Sequence, residues 1–90
     1  MVERRLRINN ALGLHARAAA QLVRMAGRFT CLITLSRDDI DVSANAKSIL
    51  SVLHLAACYG VELTIIAAGE DEEEAMAAIE RLFLDGFGEI

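Results

Sequence analysis

Two histidines, two cysteines and one lysine supply most of the nucleophilic chemistry in this 90-residue chain, and among them His15 has the neighbours that would put it to use. It stands in Leu12-Gly13-Leu14-His15-Ala16-Arg17, between a glycine-bearing loop and the start of a helical pattern. The first peptide N–H groups of a helix lack intrahelical acceptors, and the aligned peptide dipoles add roughly half a positive charge at that end. An anion attached to the His15 ring would find donors waiting in the backbone of Ala16 and Arg17. The same positive end favours the uncharged ring, which keeps a lone pair. Such an imidazole can attack a phosphoryl group, with Arg17 placed to clamp the transferred oxygens through its planar fork. On residue types alone, a histidine that merely caps a helix beside an exposed arginine fits the same spacing.

The remaining reactive residues offer less. His54 and Cys58, four apart on one helical pattern, would serve half of a metal site, and no two further ligands accompany them, so an exposed His54 and a packed Cys58 are expected. The acidic run Glu70 to Glu74 suits a helix start without any ligand, since Asp71 with Glu74 three residues on is a capping-box spacing. Ser48 precedes a helical pattern and suits a cap. Neither metal nor cofactor is expected.

Composition bounds what can position these residues. Ninety residues at 54% apolar make one domain spanning 1–90, with room for a single core and none for a deep catalytic cleft. Two cysteines are too few for a disulfide framework, and no apolar run is long enough to cross a bilayer, so a cytoplasmic protein without membrane insertion is expected. The net charge of −4 hides an asymmetry: eight basic and five acidic residues precede Gly69, giving +3, and one basic and eight acidic follow it, giving −7. With few basic residues and 4% aromatics, nucleic acid is excluded as the main partner, whereas a locally positive face could meet an acidic protein.

Periodicity supplies the elements. Val2, Leu6 and Ile8 share one strand parity; Ala16 to Arg28 carries Arg17, Gln21, Arg24 and Arg28 at helical spacing. Phe29, Cys31, Ile33 and Leu35 alternate with Thr30 and Thr34, then Ile40 and Val42 follow a polar turn, which reads as a hairpin. A second helix runs from Ser48 towards Gly60, a fourth strand holds Val61, Leu63 and Ile65, and a third helix runs from Asp71 to near Gly86. The order strand, helix, strand, strand, helix, strand, helix predicts an α+β fold with helices on one face of a mainly antiparallel sheet. Crossover handedness makes the first and second strands parallel with something between them, and both a ferredoxin-like order and at least one other satisfy it.

Asn10-Ala11-Leu12-Gly13-Leu14-His15-Ala16-Arg17 resembles the active-site segment of the histidine-containing phosphocarrier protein (HPr) family, and the resemblance extends through Ala44-Asn45-Ala46-Lys47-Ser48-Ile49-Leu50 and Gly69-Glu70-Asp71-Glu72. It implies the open-faced HPr sandwich with strand order 1-4-2-3. It also implies a phosphoryl relay and not a self-sufficient enzyme: His15 takes phosphate at Nδ1 from phosphoenolpyruvate by way of enzyme I and passes it to an enzyme IIA domain, with Arg17 as anion partner. Ser48 matches the serine that an HPr kinase/phosphorylase modifies in some bacteria. Leu50 matches a position that docks enzyme I, and Ala19, Ala20, Ile49 and Leu53, rimmed by Arg24 and Arg28, would complete the partner surface. One departure is Ala18, where the family usually has proline. A nitrogen-related regulatory branch of the family and a ferredoxin-like binding domain are the competing readings; Lys47-Ser48-Ile49 leans towards the sugar branch.

Overall fold

In the computed structural model, which describes residues 1–89, the elements run β1 (Val2–Arg7), α1 (Ala16–Ala26), β2 (Leu32–Arg37), β3 (Val42–Asn45), α2 (Ile49–His54), β4 (Glu62–Ala68), α3 (Glu72–Leu84) and a 3-10 turn at Gly86–Gly88. The strand period of two decides the layers. Leu6, Ile33, Leu35, Ala44, Leu63, Ile65 and Ala67 are buried on one face, while Glu3, Arg5, Ser43, Asn45 and Glu62 are exposed on the other. The three helices cover the apolar face: α3 packs on β1 and β4, α2 on β3, and α1 against both other helices. Leu22, Val52, Ile79 and Phe83 fill the space between.

The sheet order is β1-β4-β2-β3, with each neighbouring pair antiparallel. β1 and β2 are therefore parallel with β4 between them, as the crossover argument requires. Because β1 pairs with β4 and not with β3, the ferredoxin-like order is excluded.

Local chemistry overrode the sequence pattern at four places. Phe29 lies outside β2, and the buried Cys31 is tied by its backbone N–H to the Asp71 carboxylate at 2.9 Å, with Thr30 N–H bound to the same carboxylate at 2.8 Å. Those two contacts, led by Thr30, hold the Asp71 carboxyl below its ordinary pKa. Asp71 is thus spent on the segment just before β2 and makes no side-chain cap; Glu72 instead accepts from Gly69 N–H at 3.0 Å, three residues back. Ile40 is exposed in the turn before β3 rather than in the strand.

The fourth place is the end of α2, which stops at His54 instead of continuing towards Gly60. Ala56 has φ +49°, a left-handed conformation that costs a side-chain-bearing residue about 1–2 kcal/mol. Arg37 offsets this by donating to the carbonyls of Leu55 and Ala56 at 3.0 and 2.9 Å. His54 and Cys58 consequently do not share a helix, and Cys58 is exposed where packing was expected.

Beyond α3 the backbone turns left-handed for three residues, Gly86, Phe87 and Gly88, with φ of 58°, 56° and 76°. Glycine takes this conformation freely. Phe87 does not, but burying a phenylalanine ring contributes about 1.5–3 kcal/mol, enough to offset the backbone cost of about 1–2 kcal/mol. Its ring packs 5.1 Å from that of Phe83. The turn redirects the chain towards the start of α1 and places Glu89 there.

Candidate functional site

The loop into α1 is shaped by Gly13. Its φ is +68°, and a Cβ there would lie 2.5 Å from the Ala57 carbonyl oxygen and 2.9 Å from Cys58 Cα, so the close approach of the two segments needs glycine. Leu14 N–H donates to that Ala57 oxygen at 2.9 Å, and Gly13 N–H to the Asn10 carbonyl at 3.1 Å. His15 follows in extended backbone and caps α1: its Nδ1 accepts the N–H of Arg17 at 3.3 Å. The side chain keeps 26% of its surface exposed.

Sequence reasoning did not anticipate Glu89. Its Oε2 lies 2.5 Å from Nε2 of His15 and accepts from Nε and Nη2 of Arg17 at 3.3 and 3.2 Å. Its Oε1 accepts from Nδ2 of Asn10 at 2.9 Å. The Asn10 amide first, then His15 and Arg17, hold the Glu89 carboxyl below its ordinary pKa despite desolvation. The available signal was Gly86-Phe87-Gly88: glycines on both sides of an aromatic mark a sharp turn with an anchor, and an acid follows directly.

A carboxylate facing Nε2 and an N–H donor facing Nδ1 select one tautomer, with the proton on Nε2 and the lone pair on Nδ1. The lone pair faces the Arg17 amide in the first turn of α1, where an anion bonded to Nδ1 would also be received. Glu89 Oε2 meanwhile serves as an internal anion for Arg17, a place that incoming phosphoryl oxygens could take over. An open groove of about 570 Å³ lies alongside, lined by Leu12, Arg17, Gln21, Phe87 and Glu89 among others.

The other singled-out residues divide. Ser48 caps α2 by accepting Ser51 N–H at 3.3 Å. Leu50 is 77% and Ile49 39% exposed, and Arg24 and Arg28 are exposed on α1 and just beyond it. Ala20 is half-buried, and Leu53 is half-buried and packed on the core. Ala19 is a correction: it is fully buried with Ala18 on the inner face of α1, so it forms no part of an exposed partner surface. Among the described residues, no group of three or more His, Cys, Asp or Glu is placed to hold a metal ion, and no helix is long and apolar enough to cross a membrane.

Comparison with known proteins gives the same constellation a context. The family model for the "PTS HPr component phosphorylation site" matches residues 2–85. The phosphocarrier protein HPr of Treponema pallidum (strain Nichols) is 48% identical over 89 residues, covering 99% of each chain, and that of Cupriavidus necator is 45% identical over 89 residues, covering 99% of this chain and 98% of the relative. The crystal structure of HPr-C-His from Thermoanaerobacter tengcongensis superposes with a TM-score of 0.94 at 39% identity, covering 100% of this chain and 99% of that one.

Proposed function

The chain belongs to the HPr family of phosphotransferase-system phosphocarriers, and we propose that it accepts a phosphoryl group on Nδ1 of His15 from phosphorylated enzyme I and gives it to an enzyme IIA domain, in a cytoplasmic relay serving sugar uptake. One observation carries this reading: His15 Nδ1 faces the Arg17 N–H at the open start of α1 while Nε2 faces the Glu89 carboxylate, the arrangement that favours a lone pair on Nδ1. In the transfer, the Nδ1–P bond forms as the bond from phosphorus to the donor breaks. The ring keeps its Nε2 proton, and the Glu89 carboxylate balances the positive charge the imidazole develops. Arg17 turns its guanidinium from Glu89 to the phosphoryl oxygens, and the first-turn amides receive the remainder. In onward transfer a nucleophile of the IIA domain bonds to phosphorus as the Nδ1–P bond breaks, the electron pair returning to Nδ1 and the Arg17 guanidinium to Glu89.

Docking of both partners falls to Leu50 and Ile49, the exposed apolar pair on α2, with Arg24 and Arg28 as a basic rim towards acidic groups. Incubation with phosphoenolpyruvate and enzyme I, followed by intact mass measurement before and after acid treatment, tests the assignment. Wild type should gain one acid-labile phosphate and His15→Ala none; identical behaviour of the two removes the carrier reading. Running the same assay with the enzyme I of the nitrogen-related branch decides which branch the chain serves, the faster donor identifying its own.

A further inference from the structure

Asn10 is the one fully buried polar side chain that touches this site, with no surface exposed among the described residues. A carboxamide offers two N–H donors and one carbonyl oxygen. Both donors go to the site: Nδ2 bonds the Gly13 carbonyl at 2.8 Å and Glu89 Oε1 at 2.9 Å. The oxygen Oδ1 is buried and has no partner among the described residues. Flipping the amide would not cure this, because Oδ1 would then confront two acceptor oxygens. Among the described residues Oδ1 thus stays unpaired while one nitrogen is kept between the loop that delivers His15 and the carboxylate that touches its ring, whereas an apolar residue of similar size would leave no such orphan.

We propose that Asn10 is a positioning residue for phosphoryl transfer, fixing the Gly13 carbonyl and aiming the Glu89 carboxylate so that Oε2 meets Nε2 of His15. The proposal rests on His15 being the phosphoryl acceptor, and it adds how the ring is readied. With Oε1 held by Asn10, one carboxylate oxygen remains for the ring and Arg17 together. Without Asn10, the Glu89 carboxylate is free to face Arg17 with both oxygens, the geometry a guanidinium prefers, and Nε2 loses its acceptor. The ring then divides between its two tautomers, and the fraction carrying a proton on Nδ1 has no lone pair there to attack phosphorus.

The test reads the tautomer directly. In protein with 15N-labelled histidine, at alkaline pH, the two ring-nitrogen shifts of wild type should report Nε2–H, and those of Asn10→Ala a mixture. In parallel, single-turnover phosphorylation by phosphoenolpyruvate and enzyme I should slow by about tenfold in Asn10→Ala at saturating donor, the scale expected when a reacting group is misplaced by a fraction of an ångström. The enzyme I concentration giving half-maximal rate should stay within about twofold, because a buried side chain cannot meet the partner. A wild-type tautomer ratio in a folded Asn10→Ala protein overturns the proposal, even if its melting temperature falls. Should that variant not fold, Glu89→Ala keeps the Asn10–Gly13 contact and removes the other half of the relay; an unchanged tautomer there is equally fatal. If wild type takes no phosphate at all, the carrier reading fails, while the tautomer shifts still decide the role of Asn10.

Discussion

His15 at the start of α1 and Ser48 at the start of α2 hold their helices in the same way. Each sits in extended backbone and accepts an amide at 3.3 Å, from Arg17 in one case and Ser51 in the other. What surrounds them differs. At His15 the cation stands on the helix itself, and Arg17 is engaged by Glu89 through contacts of 3.2 and 3.3 Å that a phosphoryl group can replace. At Ser48 the adjacent Lys47 is committed to the Phe29 carbonyl at 2.6 Å, and its backbone N–H to Asn45 Oδ1 at 2.9 Å. A cap alone stabilises a helix; a cap with a second ring nitrogen, a releasable arginine and a carboxylate to set the tautomer can do chemistry.

The largest expected effect follows from the releasable arginine. Arg17→Ala removes charge-assisted hydrogen bonds of about 1.5–3 kcal/mol each, so loss of one transition-state contact should slow phosphorylation of His15 by about 10–100-fold in quench-flow measurements. The side chain is largely exposed, and its removal should leave the thermal midpoint near that of wild type. Wild-type transfer kinetics in Arg17→Ala would make the two helix starts chemically equivalent and take Arg17 out of the mechanism.

The features that make His15 special came from unequal sources. The glycine loop, the helix start and the arginine lie within five consecutive residues, so local spacing was enough to place them together. The strand parities were equally local, because Leu6, Ile33, Leu35, Leu63 and Ile65 each declare a face by alternation. Strand order was not, since periodicity is blind to which strands pair; the HPr resemblance supplied it. Glu89 is 74 residues from His15 in sequence, and its arrival depends on a left-handed Gly-Phe-Gly turn pinned by Phe83. Ala19 was misplaced because alanine suits either face of a helix, and only the packing of α1 against its neighbours decides which face is inner. Asp71 escaped its expected capping role for the same reason: the competing donors, Thr30 and Cys31, come from a distant segment.

A smaller effect separates stability from chemistry at the other cap. Ser48→Ala deletes the oxygen that accepts Ser51 N–H and should cost about 1 kcal/mol of folding stability, lowering the thermal midpoint by roughly 4–8 °C in a domain of this size. Phosphorylation of His15 should proceed within about twofold of wild type. A larger kinetic loss in Ser48→Ala would show that α2 and α1 are not independent, and that the apolar pair Ile49 and Leu50 is held in place for docking by this cap.

The smallest effect is the one that pH imposes on Glu89. Its carboxyl is held below the ordinary value in the folded chain, chiefly by the Asn10 amide and then by His15 and Arg17, so the docked turn favours the ionised form. Stability from this source is fully present above the unfolded carboxylate value of about 4.3 and is lost as pH falls through the lower folded value. Asp71 is also held low, and its protonation weakens its tie to the Thr30 and Cys31 amides as pH falls, so a global melting curve would mix the two sites. A local probe separates them. The Glu89 carboxyl 13C shift should titrate at lower pH than that of a free glutamate side chain, with the amides of Gly88 and Arg17 moving alongside it. No carboxylate touches the Ser48 cap among the described residues, so the Ser51 amide should stay fixed through that window. Equal movement of the Ser51 and Arg17 amides would mean that acid loosens both helix starts together, and that Glu89 is not what distinguishes them.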